Sequence, residues 1–244
     1  MSSKSETGHA VNSKNAGTVK TILEGSGADY QPIEPAFELA VFGPQVLAAQ
    51  IAQDELLKAE TKLGDGVNER ETLFDAVGPL GTVVVNSVSG LRIAQNKKDN
   101  IEAINKKLQG KRIGKIAKPV EGKAAAKTIS TSQMGFINRA KNLGEMIETL
   151  KLIAEYVPKQ DDRKITTLEA LHKKLDEKNV ELDVLYTTYN NALAKRDDLF
   201  YKPETGLMDT IAGIKGFAKT GPGKVNNVTY KQLVALKFTN PRKK

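Results

Sequence analysis

The sequence predicts an all-α protein, two degenerate helical repeats packed as an elongated antiparallel helical bundle. Three observations carry that expectation. With no Trp and only 13 aromatic residues among 244, the core must be built from Leu, Ile, Val and Ala, which suits helices better than sheets. Apolar residues recur at steps of three and four through the C-terminal half, the period of a helix with one buried stripe. The chain also aligns with itself, without a gap, at an offset of 126 residues. That offset pairs Tyr30 with Tyr156, Pro32 with Pro158, Arg70 with Arg196, Leu73 and Phe74 with Leu199 and Phe200, and Gly90 with Gly216. Val85, Val88 and Leu91 meet Ile211, Ile214 and Phe217 at the same spacing. A fixed period of this kind signals stacked or paired units, here copies over about 30–112 and 156–238.

Taken in order, residues 1–29 read as a flexible tail. Lys4, Lys14 and Lys20 stand among Ser, Gly and Asn, without the apolar run that a secretory signal needs, so the expected location is cytoplasmic. The first repeat, 30–113, is the less regular one. Gly43 and Pro44 interrupt its first helical stretch, and Gly64, Asp65 and Gly66 interrupt its long helix, so this half is expected to be softer. A further helix runs from Leu80 to about Leu108. The β-branched Val83, Val84, Val85 and Val88 leave a strand as the competing assignment there. The stretch from Val77 to Leu91 falls short of the ~20 apolar residues that cross a bilayer. Residues 114–131, with Pro119, Gly122 and the run from Lys123 to Lys127, read as an exposed basic linker.

The second repeat with its leading helix, 132–238, is clearer. Phe136, Ala140, Leu143, Ile147, Leu150, Ile153 and Val157 place one stripe along a helix from about Ser132 to Tyr156, which Pro158 ends. Thr166 and Glu169 have capping-box spacing, with Ile165 and Ala170 as a hydrophobic staple, and open a second helix. Its stripe of Leu168, Leu171, Leu175, Leu182, Leu185, Tyr189, Leu193 and Phe200 is broken near Lys178, where a polar residue faces inward. Such spacing suits coiled-coil-like packing between antiparallel helices. Pro203 and Gly206 break the chain, a shorter helix covers Leu207 to Lys219, and Gly221, Pro222 and Gly223 turn it before a last helical segment, Tyr230 to Phe238. Residues 239–244 form a basic C-terminal tail.

Chemistry-bearing patterns are sparse. The absence of Cys excludes a disulfide framework and a cysteine-ligated metal. Gly221, Gly223 and Lys224 resemble a phosphate loop, but Ala218 stands where a glycine is required and Val225 where the Ser or Thr belongs. His9 and His172 read as surface residues. Asp161 with Asp162, and Asp197 with Asp198, are adjacent pairs whose side chains diverge, so they preset no acid and base; helix starts and solvated faces explain them. Asp65 and its neighbours lack the alternating oxygen ligands of a calcium loop. No catalytic residue, metal ligand or cofactor is therefore assigned, and an enzyme is not expected. Arg70 and Arg196 precede their Leu-Phe pairs near helix ends, where a guanidinium complements the dipole and binds orphan carbonyls.

Charge placement is more informative. The chain carries 37 Lys and Arg against 29 Asp and Glu, a net +8. Lys97 to Lys127 holds ten basic residues and three acids, and Lys215 to Lys244 holds eight basic residues and no acid. Subtracting the +15 of these two stretches leaves −7 on the other 183 residues. The basicity is segregated, and a surface of this kind suits a polyanion: nucleic acid, an anionic membrane face or an acidic protein partner. The residues nominated to contact it are Lys106, Lys107, Lys111, Arg112, Lys231, Lys237, Arg242, Lys243 and Lys244. With few aromatics available to stack on bases, contact with nucleic acid is expected to be mainly to phosphate and low in sequence specificity. A second reading is a self-assembling scaffold, or a filament or machine subunit, in which the acidic body of one copy meets the basic tail of the next. A third is a helical membrane-acting protein that inserts Val83 to Leu91 after rearrangement. The bland alternative is that these lysines only keep the protein soluble.

Several segments carry a family resemblance. They are Ile129 to Met134 with Phe136, Tyr156 with Pro158, Asn191 to Arg196 with Leu199 and Phe200, Thr205 to Leu207 with Asp209, and Tyr230 to Gln232 with Leu236 to Thr239. Over about residues 30–239 the chain resembles an uncharacterised family of basic, internally duplicated, all-helical proteins from bacteria related to the Bacteroidetes. The resemblance implies a bacterial origin and a helical architecture, and it supplies no mechanism.

Overall fold

The computed structural model describes residues 8–111, 135–220 and 225–240. The described residues are helical and contain no strand, so the valine-rich stretch is helix. The helices are α1 (His9–Ser26), α2 (Leu39–Asp75), α3 (Val77–Ser89), α4 (Gln95–Leu108), α5 (Phe136–Lys151), α6 (Ile165–Tyr201), α7 (Leu207–Thr220) and α8 (Asn227–Ala235). Single 3-10 turns at Pro35–Phe37 and Asp161–Arg163 precede α2 and α6.

The chain divides into two compact units, one within Met1–Lys62 and Tyr186–Lys244, the other within Leu63–Leu185. The first holds α1, the start of α2, the end of α6, α7 and α8. Its core joins Ala16, Val19 and Leu23 of α1 to Phe42 and Val46 of α2, Phe200 of α6, and Ile211, Ile214 and Leu233 beyond. The second holds the end of α2, α3, α4, α5 and the start of α6. Phe74, Val84, Val88, Ile101, Leu108, Leu143, Met146, Leu150, Leu168 and Leu175 form its core.

Several expectations are corrected. The stretch expected to be an N-terminal tail carries α1, because Ala16, Val19 and Leu23 make a stripe that is wholly buried even though Ser, Asn and Lys dilute it. The long helix of the first half is uninterrupted through Pro44 and Gly64–Gly66. Pro44 lies in its second turn and costs it one backbone bond. Gly66 lies where α2 and α6 run antiparallel within the second unit, and a Cβ there would lie 2.6 Å from Leu185 Cδ1. The expected helix from Leu80 to Leu108 is two helices, turned between Ser89 and Gln95. α5 ends at Lys151, before Pro158. α6 begins at Ile165, so Thr166 already lies inside its first turn, and Glu169 pairs with Lys151 at 2.9 Å instead of serving a capping box. The last helix starts earlier than expected, where the Asn226 side chain accepts from the Val228 and Thr229 amides, and residues 236–240 follow it without helix. The linker 114–131 lies outside the described residues.

The inward polar residue expected near Lys178 is there. The Lys178 Nζ lies 2.8 Å from Glu69 and 2.6 Å from Glu181, and both hydrogen bonds hold its pKa above the usual lysine range.

Glycine substitutions are expected to have opposite signs at two positions. Gly64 lies mid-helix with nothing within 4 Å of an added Cβ, so Gly64→Ala should stabilise by about 0.5–1 kcal/mol through helix propensity. At Gly213 an added Cβ would run into the Phe37 ring, and overpacking there should cost about 1–3 kcal/mol. Urea denaturation of the two variants checks both; a destabilised Gly64→Ala or a neutral Gly213→Ala would contradict this packing.

Candidate polyanion-binding surface

The nominated cations differ in how far the fold commits them. On α4, Lys106 lies 2.7 Å from Glu102, one turn away, and Lys107 lies 3.1 Å from Glu145 of α5. Both already serve local pairs. Lys111, just past α4, and Lys231 and Lys237 in and after α8, are exposed and form no ion pair among the described residues. Arg112, Arg242, Lys243 and Lys244 lie outside the described residues.

The segment that carries Lys237 is fixed from below by residues that sequence reasoning missed. Asn12 of α1 is 1 % exposed. Its Nδ2 donates to the Thr239 carbonyl at 2.6 Å, and its Oδ1 accepts from the Thr239 amide at 3.1 Å. Asn15 Nδ2 donates to the Lys237 carbonyl at 2.8 Å. From α7, Lys215 Nζ donates to the Leu236 carbonyl at 2.6 Å and sits 4.7 Å from the centre of the Phe238 ring. Burial pulls the Lys215 pKa below the usual lysine range, so this lysine belongs to the support and not to the exposed charge. The backbone of Leu236, Lys237 and Thr239 is thus held outside a helix by side chains of α1 and α7, while Lys237 itself is exposed. Lys14, next to Asn15, and Lys219 on α7 are likewise exposed and form no ion pair among the described residues. The signal that could have found Asn12 is its register with Ala16, Val19 and Leu23 on the buried face of α1.

Among the described residues, neither arginine nominated for a helix end binds a terminal carbonyl. Arg70 lies with its guanidinium carbon 4.0 Å from the centre of the Phe136 ring, a cation–π contact. Arg196 is 7 % exposed and holds Asp197, 3 % exposed, through Nη2 at 2.6 Å and Nε at 3.0 Å. Burial lowers the Arg196 pKa, with opposing contributions from Tyr201 and Tyr189. Asp197 is therefore no solvated-face residue, although Asp198 is exposed. The carbonyl at the end of α2 that needs a partner, that of Phe74, is bound instead by the guanidinium of Arg139 from α5.

Two tyrosines lock the turns that launch the long helices. The Tyr30 hydroxyl donates to the Phe37 carbonyl at 2.7 Å and the Tyr156 hydroxyl to the Arg163 carbonyl at 2.8 Å. Burial pushes both phenols up to about 12. A phenol whose folded pKa exceeds its unfolded value of ~10 keeps its full contribution below pH 10 and loses it as pH rises toward 12. Stability is therefore expected to fall between pH 10 and 12, and Tyr30→Phe with Tyr156→Phe should remove much of that fall; denaturant titrations at pH 9 and 11 check it.

Among the described residues, no group of three or more His, Asp or Glu is placed to hold a metal, and no helix is long and apolar enough to cross a membrane. His172 packs against α5 where Gly144 leaves it room, with Nδ1 3.5 Å from Asp176. The fold and this surface define a class, an all-α protein of two compact units with exposed lysines that form no ion pair among the described residues. No family model, curated protein or solved structure matches the chain.

Proposed function

We propose that the chain is a non-catalytic binding or structural protein that contacts a polyanion, foremost nucleic-acid backbone, through its two Lys-rich stretches, chiefly the C-terminal one. The observation that carries this reading is that the last thirty residues hold eight basic side chains and no acid, and that within them the backbone of Leu236, Lys237 and Thr239 is held by side chains of α1 and α7. Lys231 and Lys237, with Arg242, Lys243 and Lys244 beyond, are the principal contacts, and Lys14 and Lys219 extend the set. The α4 group contributes through Lys111 and Arg112, because Lys106 and Lys107 must first leave a carboxylate, which screens their charge.

The same reading takes the chain as two copies of one unit. In its favour, α2 and α6 each span 37 residues and begin 126 positions apart, and the two tyrosine locks recur at the same separation. Lys14, Asn15 and Gly17 of α1 correspond at 127 positions to Lys141, Asn142 and Gly144 of α5. The copy thus begins one helix earlier than the sequence alignment suggests.

The test is fluorescence anisotropy of a labelled DNA duplex against the full chain over a salt series. About six phosphate contacts give a slope of log affinity against log salt of roughly −5. Replacing Lys231, Lys237, Arg242, Lys243 and Lys244 by Gln should flatten it to about −1 at the same ~0.9 per contact, whereas Lys106→Gln with Lys107→Gln should move it by less. An unchanged slope in the five-site variant disposes of the reading. Salt-dependent sedimentation without any nucleic acid would favour the self-assembling scaffold.

A further inference from the structure

A cleft of about 540 Å³ opens in the second unit between the α2–α3 junction and the start of α6. Leu73, Pro79, Leu80 and Val83 form one wall, and Ala170 and Leu171 form the other. Leu73, Leu80, Val83 and Leu171 are only half-buried, so the cleft presents wetted apolar surface, bounded on two sides, in the size range of small-ligand sites. Two charged side chains stand at its rim. Asp162 is committed to Arg163, its Oδ1 3.1 Å from Nε. Lys174 is exposed and forms no ion pair among the described residues. The cleft therefore combines an apolar floor with one uncompensated ammonium.

The corresponding place in the first unit is built differently. At an offset of 126 residues, Leu171 corresponds to Gln45 and Pro79 to Thr205, and there the Gln45 Nε2 donates to the Thr205 carbonyl at 2.8 Å, bridging the two elements. Lys174 corresponds to Ala48, and Leu80 to Gly206. In the second unit the polar bridge is thus replaced by an apolar pair and Lys174 stands in place of Ala48, whereas the lysine of the first unit, Lys202, stands in place of Ala76. Helix packing of this kind does not by itself demand an open apolar cleft, since the first unit bridges the same positions with a hydrogen bond.

We propose that this cleft binds a free aliphatic carboxylate, with the alkyl chain against Leu80, Val83 and Leu171 and the carboxylate on Lys174 Nζ. The chemistry follows from charge complementarity: an exposed cation lining a largely apolar trough selects a chain with one anionic head. A neutral apolar molecule gains nothing from Lys174, and a polyanion gains nothing from the trough.

The test is titration of the full chain with decanoate, followed by methyl NMR and calorimetry, with decanol as the uncharged control. Saturable shifts are expected at Leu80, Val83 and Leu171, with affinity rising about two- to fourfold for each methylene from hexanoate to decanoate. Lys174→Gln should weaken decanoate about two- to fivefold, the range of an exposed ion pair, and leave decanol unchanged. Ala170→Phe, at an exposed position, should fill the trough and abolish both while leaving the methyl spectrum of the first unit intact. The proposal is overturned if decanoate produces no saturable shift, if Lys174→Gln weakens decanoate and decanol alike or neither, or if binding occurs only when acyl chains are presented in vesicles. None of these results bears on the salt slope for DNA.

Discussion

Asp197→Ala should destabilise the protein by about 3–5 kcal/mol, because it leaves the Arg196 guanidinium buried with its carboxylate partner removed. The pair is nearly closed to solvent, at 7 % and 3 % exposure, and two guanidinium nitrogens meet one carboxylate oxygen at 2.6 and 3.0 Å. The same two residues replaced together, Arg196→Met with Asp197→Leu, should recover most of the loss, since an apolar pair of similar volume carries no desolvation penalty. Equilibrium unfolding in urea measures both. A single variant within 1 kcal/mol of the parent, on the order of a surface ion pair, would place the pair in water and refute its burial.

Phe74→Ala and Phe200→Ala should each cost about 3–5 kcal/mol, the usual range for emptying a large aromatic site in a core. Both rings are fully buried, Phe74 among the residues of the second unit and Phe200 among those of the first. The location of the damage is the sharper expectation. In native-state hydrogen exchange read by mass spectrometry, Phe200→Ala should lower protection first in α1, α7 and α8, and Phe74→Ala first in α3, α4 and α5. Equal loss throughout the chain for both variants would contradict two separate cores.

Much of the fold is legible in the sequence because helices announce themselves locally. The stripe from Leu168 to Phe200 fixes α6 and its buried face, since residues three and four apart share a face whatever they pack against. Pro203 and Gly206 mark the break before α7 for an equally local reason. α1 was not legible in this way: Asn12 and Ser13 occupy its buried face, and polar residues there are buried only because distant partners satisfy them, as Thr239 does for Asn12. The glycines of α2 misled for the complementary reason. Gly66 reads as a helix breaker alone, yet serves as the point of close approach to Leu182 and Leu185, more than a hundred positions away.

The candidate site divides along the same line. Segregation of basic residues into two stretches is a property of the sequence, fixed before folding, and no structure can alter that count. Which of those cations stay uncommitted is tertiary: Glu145 on α5 engages Lys107, while nothing on α1 or α7 engages the side chain of Lys237. By itself the sequence determined the helical class, the faces of the long helices and the placement of charge, because each depends on residues within a few turns. Only the tertiary structure decided that the first unit joins Met1–Lys62 to Tyr186–Lys244, that Asp197 is buried, and that an apolar cleft lies open beside Lys174. Those outcomes depend on how segments distant in the sequence pack, where local periodicity carries no information.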